Sequence, residues 1–531
     1  MSVQKTQLSQ LSHSFGTPGQ WDEETDVVVI GSGYAGLSAA VEACKVGASV
    51  IVLEKMPYFG GNSLISGGGY CSSDSKLKLR EKLGLGEDSW QLHMKDTLEG
   101  GQNRNLPELV EVLARCAPEG LDFIIDAGVP FSDVLPRLGG HSAHRSYQIT
   151  GSSGKTLFDV LLALARKSGA EVRNNSAVTR IWRPDAASKV SGVSVERDGV
   201  ISNIRIRRAL IVASGGFSRD VELRCEYDPL LTSAYNCSNH KGATGECIRY
   251  AQAVGADTVD MSYIQLFPTA NPKNGILDKY ALWAYSSTGF GSINVDKHGK
   301  RFVNELTGRD EVSNAQISSC DNPTYTILNK AIFAMLDVSQ DDLKNMTVSS
   351  TVNGSPIAAN GPSSTGIHES SSTADKSPAT VHGSSGAADE SPTTANGSHR
   401  IISAETVAEL SDKLGMEYLI DTIAAHNGYI VNNQSDNEFN KSISPHMAPM
   451  LEGPYYAIPQ WPSIHFCMGG LRFDTGAHVL DTQGAPIPRL YAAGECCGGV
   501  HGANRLAGNA ITECIVFGRI AGANAAAEAI G

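Results

Sequence analysis

Residues 25–55 carry the strongest fold signal in the chain, TDVVVIGSGYAGLSAAVEACKVGASVIVLEK. The apolar run from Val27 to Ile30 is typical of a buried parallel strand. Apolar residues with helical spacing follow from Leu37 to Val46, and a second apolar run, Ser49 to Leu53, indicates the next strand. The pattern predicts a strand–helix–strand unit in an α/β fold with a parallel sheet.

The turn between the first strand and the helix contains a glycine motif. Gly31, Gly33 and Gly36 form G-x-G-x-x-G, and the second strand ends at Glu54. Glycines at this turn let the backbone approach a pyrophosphate, which a helix N-terminus attracts, and the acid can accept a hydrogen bond from a ribose hydroxyl. The motif alone is weak evidence. Together with both strands, the helix and the acid, it predicts dinucleotide binding.

The residues after Glu54 favour FAD over NAD. Residues 58–69, YFGGNSLISGGG, form a second loop rich in glycine and serine. NAD-binding units usually continue into a helix here, whereas flavoproteins place such a loop against the cofactor. We therefore predict a Rossmann-like FAD-binding domain.

Composition argues against several classes of function. The chain has 531 residues, enough for two or more domains, and a net charge of −13 with no prominent basic tract, so nucleic acid and anionic membranes are not expected partners. Its eleven cysteines form no paired Cys-x-x-Cys set and no haem motif. We expect no metal site and reduced thiols. Because we find no apolar signal segment and no run that could span a bilayer, we expect a soluble, cytoplasmic protein without membrane insertion.

A second glycine-rich region lies further along the chain. Residues 462–470 read PSIHFCMGG, and residues 490–514 read LYAAGECCGGVHGANRLAGNAITEC. The glycines leave the main chain bare where a planar cofactor could approach, and Arg505 offers a planar fork of donors suited to a carboxylate. We place the flavin and the reacting end of a substrate here.

Both segments resemble the flavoproteins of the fumarate reductase and succinate dehydrogenase superfamily. Members carry His-x-Thr-Met-Gly-Gly, which resembles residues 465–470 with Cys467 in place of threonine. They also carry His-Gly-Ala-Asn-Arg-Leu-Gly-Gly-Asn, which resembles residues 501–509 with Ala507 as the departure. The glycine motif and this resemblance together imply FAD contacts at Gly31, Gly33, Ala35, Gly36, Glu54, Lys55, Gly61, Asn62, Ser63, Gly67, Gly68, Gly215, Glu495, Asn509, Ala510 and Ile511.

The resemblance also implies how the chain is divided. Residues 21–260 and 466–531 would form the FAD-binding domain from both chain ends, and residues 261–465 an inserted α+β capping domain. Residues 1–20 are expected to be a disordered tail. Residues 347–399, rich in Ser, Thr, Ala, Gly and Pro, bury too little surface to offset their ordering entropy, so we expect a disordered insertion in the cap.

The mode of flavin attachment follows from the loop at residues 58–69. Membrane-complex relatives carry a histidine in this region that bonds covalently to FAD. The loop here contains no histidine. We therefore expect non-covalent FAD.

The family reaction is hydride transfer between flavin and an α,β-unsaturated acid. Residues 304–310, NELTGRD, resemble the segment bearing the arginine that donates the proton, which implies that role for Arg309. His465 and Arg505 would bind the substrate carboxylate, with Gly508 beside them in the pocket. On spacing alone, a helix-start salt bridge to a neighbouring acid explains Arg309 better.

The sequence departs from the fumarate reductase pattern at the far end of the pocket. The family segment Thr-Glu-x-x-Arg-Gly reads Ala284-Tyr285-Ser-Ser-Thr288-Gly here, and the histidine of Gln-x-His-Pro-Thr is Phe267. The groups that hold a second carboxylate and resupply the proton are thus replaced, and burying an unpaired carboxylate against Phe267 is unfavourable. We hypothesise an enoate with one carboxylate and an apolar or aromatic far end, such as cinnamate, acrylate or urocanate. Tyr285 would stack on that end or relay protons, unless both aromatic residues merely pack the domain interface.

Three other functions stay open. One is fumarate reductase proper, and a second is a flavin dehydrogenase or oxidase that introduces a double bond, as in the related ketosteroid dehydrogenases. A flavin scaffold without turnover is least favoured, because Arg309, His465 and Arg505 are all kept. Since no haem motif is found, we expect an external electron donor: reduced flavin, a nicotinamide-linked reductase or a small redox protein.

Overall fold

The structure is a computed structural model that describes residues 14–151, 153–336 and 401–530. The strands are β1 Glu23–Ile30, β2 Val50–Leu53, β3 Gly69–Cys71, β4 Ser146–Gln148, β5 Glu171–Arg173, β6 Ala177–Trp182, β7 Gly192–Arg197, β8 Val200–Val212, β9 Thr258–Val259, β10 Ile264–Phe267, β11 Ile293–Val295, β12 Thr324–Asn329, β13 Ile402–Ala404, β14 Tyr455–Gln460, β15 Ser463–Cys467, β16 Gly470–Leu471, β17 His478–Leu480 and β18 Pro486–Ala492. The helices are α1 Tyr34–Lys45, α2 Gly61–Leu64, α3 Leu79–Lys82, α4 Trp90–Gly100, α5 Pro107–Asp126, α6 Gly154–Lys167, α7 Val221–Tyr227, α8 Glu246–Ala253, α9 Lys279–Ser287, α10 Arg309–Ser319, α11 Lys330–Phe333, α12 Val407–Leu414, α13 Leu419–Val431 and α14 Asn509–Ala527.

An eight-stranded sheet joins early and late parts of the chain. Its strands lie in the order β17-β18-β8-β1-β2-β5, and the β6–β7 hairpin pairs with β8. Strand β1 is parallel to β2 and β8, and β18 is parallel to β8. The last six residues of β1 are buried, as expected for a central parallel strand covered on both faces. The predicted strand–helix–strand unit and the α/β class are confirmed.

Helices α1 and α14 pack against each other and contact this sheet. Both contribute alanines and branched apolar side chains to one large buried cluster, which also contains the central strands. The start of α14, near the end of the chain, is therefore held beside the start of the first helix.

A four-stranded antiparallel sheet lies in the middle part of the chain, in the order β11-β12-β14-β13. Together with α9, α12 and α13 it encloses a second apolar cluster, which includes Ile327, Leu419 and Ile458. The antiparallel pair β10 and β15 lies outside both sheets and places Phe267 opposite Ser463, two residues before His465.

Two predicted segments fall at the edges of the described ranges. Residues 14–20 of the predicted tail are described, and they lie against the fold, because the amide of Ser14 donates to the carbonyl of Ala253 at 2.8 Å and that of Gly16 to the carbonyl of Arg183 at 2.8 Å. The predicted insertion at 347–399 lies outside the described residues. None of the helices that the structure describes combines the length and apolar character needed to cross a membrane.

Candidate active site

The carboxyl ends of the parallel strands bring the predicted cofactor residues together. Gly31 follows β1, Glu54 follows β2, Gly215 lies shortly after β8, and Glu495 lies shortly after β18. Because β1, β2, β8 and β18 run in the same direction, these residues lie at one edge of the sheet, where α/β folds bind their ligands.

The turn into α1 requires glycine. Gly31 has φ +105°, and a Cβ on it would lie 2.2 Å from the carbonyl oxygen of Ala213. A Cβ on Gly36 would lie 2.0 Å from the carbonyl oxygen of Gly31. Gly33 is the N-cap and has no side chain to cap the helix, and the amide of Tyr34 donates to the hydroxyl of Ser63 at 3.0 Å. The other amides of the first turn of α1 have no intrahelical acceptor, which suits a pyrophosphate.

Glu54 is buried, and its described hydrogen bonds come from uncharged groups. Its Oε2 accepts from the hydroxyl of Ser32 at 2.6 Å, and its Oε1 accepts from the amide of Met56 at 3.0 Å. Lys55 turns to another acid, since its Nζ lies 2.8 Å from Oε1 of Glu246. Glu54 therefore keeps acceptor capacity for a ribose, whereas the ammonium of Lys55 is already paired.

Asn62 connects the glycine-serine loop to the C-terminal glycine-rich region. Its Nδ2 donates to Oε2 of Glu495 at 3.1 Å, and its Oδ1 accepts from the amide of His240 at 2.7 Å. Ser63 accepts from the amide of Tyr34 at 3.0 Å. Burial raises the pKa of Glu495 to about 7. The loop, α1 and the end of β18 thus form one hydrogen-bonded wall.

The start of α14 offers a second helix N-terminus of this kind. Gly508 is its N-cap and provides no side-chain cap. The side-chain amide of Asn509 is held in place, because its Oδ1 lies 3.0 Å from Nε2 of His93 and its Nδ2 donates to the hydroxyl of Thr97 at 3.0 Å. The backbone N–H groups of Ala510 and Ile511, in the first turn, have no intrahelical acceptor.

These residues fit an FAD. Two helix N-termini with glycine as the N-cap, a buried acid after β2 and loop glycines with open space at Gly61, Gly67 and Gly215 suit a long phosphate-bearing ligand. In the part of the chain that the structure describes, the hydroxyl of Ser214 at this edge is buried without a hydrogen-bond partner. Gly68 lies on the side of the loop away from this edge, where its carbonyl accepts a hydrogen bond from the backbone amide of Ile149 at 3.1 Å.

Two arginines lie close together beyond this cofactor edge. Arg505 is buried, and it donates from Nη2 to Oε1 of Gln265 at 3.0 Å and from Nη1 to the carbonyl of Leu506 at 3.1 Å. Its guanidinium carbon lies 4.5 Å from the ring centre of Phe466. Burial and the charge of Arg309 lower the pKa of Arg505 to about 9. Among the described residues, no carboxylate forms an ion pair with either guanidinium. Two cations that repel each other and have no carboxylate partner form a site for an anion.

Arg309 is the first residue of α10, and its side chain contacts two adjacent aromatic rings. Its guanidinium carbon is 4.7 Å from the ring centre of Phe267 and 4.8 Å from that of Tyr285, and its Nε donates to the Tyr285 hydroxyl at 3.2 Å. Neither Asp310 nor Glu305 forms an ion pair with it. Asp310 instead accepts from the amide of Leu266 at 3.1 Å, which ties the start of α10 to β10.

His465 lies beside the same aromatic pair. Its ring centre is 5.0 Å from that of Phe267, and its Nδ1 is 3.0 Å from the hydroxyl of Ser238. Burial and the charges of Arg505 and Arg309 hold the pKa of His465 well below its usual range. The imidazole is therefore neutral, and its Nε2 is the nitrogen that a ligand could reach.

The structure brings Arg309, His465, Arg505, Tyr285 and Phe267 into one cluster. Sequence reasoning missed Ser238, which contacts His465, and the contact of Asn504, whose Oδ1 accepts from Gln265 at 2.5 Å. Gln265 did stand in a family segment, but its contact with Arg505 depends on the fold. In the described ranges no group of three or more His, Cys, Asp or Glu side chains could hold a metal.

A sheet edge suited to a dinucleotide and two arginines without a carboxylate partner indicate a class of flavoproteins, and the comparisons identify the family. The chain belongs to the FAD binding domain family, whose model matches residues 26–511. The acrylate reductase flavoprotein subunit of Shewanella woodyi is 32% identical over 519 residues, covering 94% of this chain and 91% of that protein. The urocanate reductase of Eggerthella lenta is 32% identical over 512 residues, covering 95% and 75%. The NADH:fumarate oxidoreductase of Klebsiella pneumoniae is 33% identical over 510 residues, and this chain spans about half of its length (48%).

Solved structures agree with this assignment. A flavocytochrome c3 fumarate reductase in its open conformation has a TM-score of 0.71 and 30% identity, covering 96% of this chain and 79% of that one. A 3-ketosteroid-Δ4-(5α)-dehydrogenase from Rhodococcus jostii has a TM-score of 0.68 and 22% identity, covering 96% and 98%, and shares the fold. The chain is thus a flavoprotein of the fumarate reductase-like oxidoreductases.

Proposed function

We propose that this flavoprotein reduces the C=C bond of an α,β-unsaturated carboxylate that has one carboxylate and an apolar or aromatic far end. The observation that carries the proposal is that two arginine side chains lie beside two aromatic rings. Arg309 and Arg505 lie near each other without a described carboxylate partner, and Phe267 and Tyr285 occupy the adjacent wall.

The division into domains is part of this proposal. The FAD-binding domain would comprise residues 21–260 and 466–531, and the capping domain residues 261–465. The eight-stranded sheet built from both parts, and the separate core of the four-stranded sheet, support it. FAD, bound non-covalently along the edge from Gly31 to Ile511, would supply the hydride.

The carboxylate would bind at Arg505 and His465. Gln265 and the carbonyl of Leu506 fix the guanidinium fork, and Ser238 holds the imidazole by Nδ1. An anionic ligand removes the unfavourable burial of an unpaired cation and restores the pKa of Arg505 toward its usual range. Charge that develops on the carboxylate during reduction would be stabilised by the same groups.

Arg309 would protonate the α-carbon. An arginine is a poor acid in water, so it can serve only if it is held in contact and reprotonated. The rings of Phe267 and Tyr285 hold its guanidinium, and the Tyr285 hydroxyl at 3.2 Å from Nε would return the proton. Tyr285 would thus replace the acidic relay of fumarate reductases.

The far end of the substrate would contact Phe267 and Tyr285. Their ring centres lie 5.1 Å apart with a 44° tilt, and Phe267 is also near His465. A second carboxylate at this wall would lose its hydration and could gain only Arg309 and the Tyr285 hydroxyl as donors, with the Phe267 ring offering none. An aryl or small apolar substituent has no such cost.

The test is anaerobic turnover with dithionite-reduced methyl viologen as donor and cinnamate, urocanate, acrylate or fumarate as acceptor. We expect turnover of an enoate with one carboxylate, with fumarate at least tenfold slower in kcat/KM, and loss of turnover in Arg309→Gln. Equal turnover of fumarate contradicts the proposed pocket. Oxygen consumption with a saturated substrate would indicate a dehydrogenase or oxidase, and reduced flavin that no acceptor reoxidises would indicate a scaffold.

The physiological electron donor would be external: reduced flavin, a nicotinamide-linked reductase or a small redox protein. The cytoplasmic location likewise stays a prediction. The relatives whose names include NADH are longer than this chain, which covers 48% and 50% of two of them.

A further inference from the structure

Four buried charged side chains lie behind the loop that leads into α10. Arg301, Glu305, Asp436 and Lys441 are each at most 1% exposed at the side chain. Arg301 donates from Nε and Nη2 to the two oxygens of Glu305, both at 2.9 Å, and its Nη1 lies 2.8 Å from Asp436. Nζ of Lys441 lies 3.1 Å from Glu305 and donates to the carbonyl of Ser292 at 2.7 Å.

The cluster fixes a loop that has no regular secondary structure. Glu305 also accepts from the amide of Asn294 in β11 at 3.1 Å, so its carboxylate receives four donors. The loop is further closed by Asn304, whose Oδ1 accepts from the amide of Leu306 at 2.9 Å. Glu305 is one helical turn before Arg309 in sequence, and α10 begins at Arg309 itself.

Stability alone does not account for this arrangement. Two cations and two anions balance in charge, but taking four charges out of water costs about as much as their pairing returns, and apolar side chains of similar volume would serve the core as well. Ion pairs and hydrogen bonds fix the relative orientation of the groups that they join more closely than apolar packing does. Asp436 and Lys441 belong to a segment distant in sequence from the loop, so they tie the loop to a second part of the chain.

We infer that Glu305 and Lys441 are positioning residues that hold Arg309 against Phe267 and Tyr285. The inference rests on the proposed function for the role of Arg309 as the acid. Lys441 does not contact Arg309. It acts through Glu305, whose carboxylate joins the loop to β11 and to Arg301. If these ion pairs are lost, the guanidinium moves away from the two rings, while Arg505 and His465 keep the carboxylate site.

The test compares Lys441→Met with Leu410→Ala. The control variant creates a cavity in the apolar cluster of the four-stranded sheet and removes none of the four charges. At a matched fall in Tm, we expect Lys441→Met to lower kcat about 10- to 100-fold with KM within about threefold, because displacement by about 1 Å has this effect on reacting groups. Leu410→Ala should keep kcat within about threefold. The double variant Glu305→Gln/Lys441→Met, which leaves Arg301 paired with Asp436, should recover Tm relative to Lys441→Met but not kcat.

A second measurement does not depend on turnover. Hydrogen exchange at the amides of residues 305–310 should accelerate in Lys441→Met and stay unchanged in Leu410→Ala. If the wild type reduces no enoate, the proposed function fails, and this exchange result still decides the positioning. Equal loss of kcat in both single variants, or unchanged exchange at residues 305–310, would overturn the inference.

Discussion

Nε of Arg309 donates a hydrogen bond to the Tyr285 hydroxyl at 3.2 Å, and the rings of Tyr285 and Phe267 both lie within 5 Å of the same guanidinium. A guanidinium in contact with two rings is held by cation–π attraction and by the Tyr285 hydroxyl rather than by a carboxylate. The guanidinium can therefore be fixed without an acid beside it, which leaves its positive charge for an anionic ligand.

The first prediction concerns Arg309 as the acid. Arg309→Gln keeps a polar side chain but removes the proton and the charge, so kcat should fall by about 10²- to 10⁴-fold, the usual range for a general acid. Affinity for cinnamate, followed by the flavin absorbance change, should fall less than about tenfold, since Arg505 is untouched. A variant that keeps more than a tenth of wild-type kcat would show that another group protonates the substrate.

The second prediction separates the hydroxyl of Tyr285 from its ring. Tyr285→Phe keeps stacking and removes the relay, so kcat should fall about 10- to 100-fold with little change in KM for cinnamate. Tyr285→Leu should also raise KM by about tenfold, because ring contacts contribute about 1 kcal/mol beyond area burial. Steady-state kinetics of both variants check this. Wild-type kcat in Tyr285→Phe would limit Tyr285 to packing.

Much of the cofactor edge could be predicted from the sequence, because local signals determine it. The glycines of residues 31–36 and the acid at 54 are close in sequence, and parallel strands place their carboxyl ends together without further information. The resemblance extended this to the residues after β18.

The support around the site could not be predicted, because it depends on contacts distant in sequence. Lys441 lies in a polar stretch with no pattern, and its pairing with Glu305 spans more than a hundred residues. Likewise, nothing around Ser238 indicates that it contacts His465. Spacing alone suggested a salt bridge for Arg309, whereas Glu305 turns toward Arg301 and Lys441 instead.

The third prediction concerns pH and Asp310. Burial raises the pKa of Asp310 to about 6, against the lowering effects of the Leu266 amide, Arg309 and Arg505. As pH rises through about 6, the carboxyl of Asp310 ionises and adds a negative charge to the anion site, so cinnamate should bind more weakly. If bound cinnamate shifts the pKa of Asp310 by about one unit, its affinity changes by about tenfold across this range. Asp310→Asn should flatten this dependence between about pH 5 and 7.5.

The matched control is Glu311→Gln, which removes an exposed acid next along α10. It should leave the size of the pH dependence unchanged and move its midpoint only slightly to lower pH, because the charge of Glu311 contributes to the raised pKa of Asp310. If cinnamate affinity in the wild type is constant across this range, or rises with pH, the placement of Asp310 in the electrostatics of the site is wrong.

The fourth prediction is loss of stability in mild acid. Burial lowers the pKa of His426 to about 4, and its Nε2 donates to the carbonyl of Gly291 at 3.0 Å. Between about pH 6.5 and 4 the unfolded chain binds a proton that the folded chain does not, so the free energy of unfolding falls as pH falls, by on the order of 3 kcal/mol for this residue. Urea unfolding at pH 7 and 5 should show a smaller difference in His426→Gln than in the wild type. The control is His446→Gln, which replaces an exposed histidine. If the difference in unfolding free energy between pH 7 and 5 is the same in His426→Gln and in His446→Gln, the prediction is contradicted.

The central claim is that Phe267 and Tyr285 exclude a second carboxylate. The matched variant is Phe267→His/Tyr285→Glu, which restores the family's residues at both positions. The most direct measurement is anaerobic reoxidation of the reduced flavin in a single turnover, with cinnamate and with fumarate. For the wild type we predict reoxidation by cinnamate at least about 10²-fold faster than by fumarate, corresponding to about 3 kcal/mol of discrimination against a buried unpaired carboxylate. In the variant this preference should shrink or reverse. Reoxidation of the wild type by fumarate at the rate of cinnamate would contradict the account.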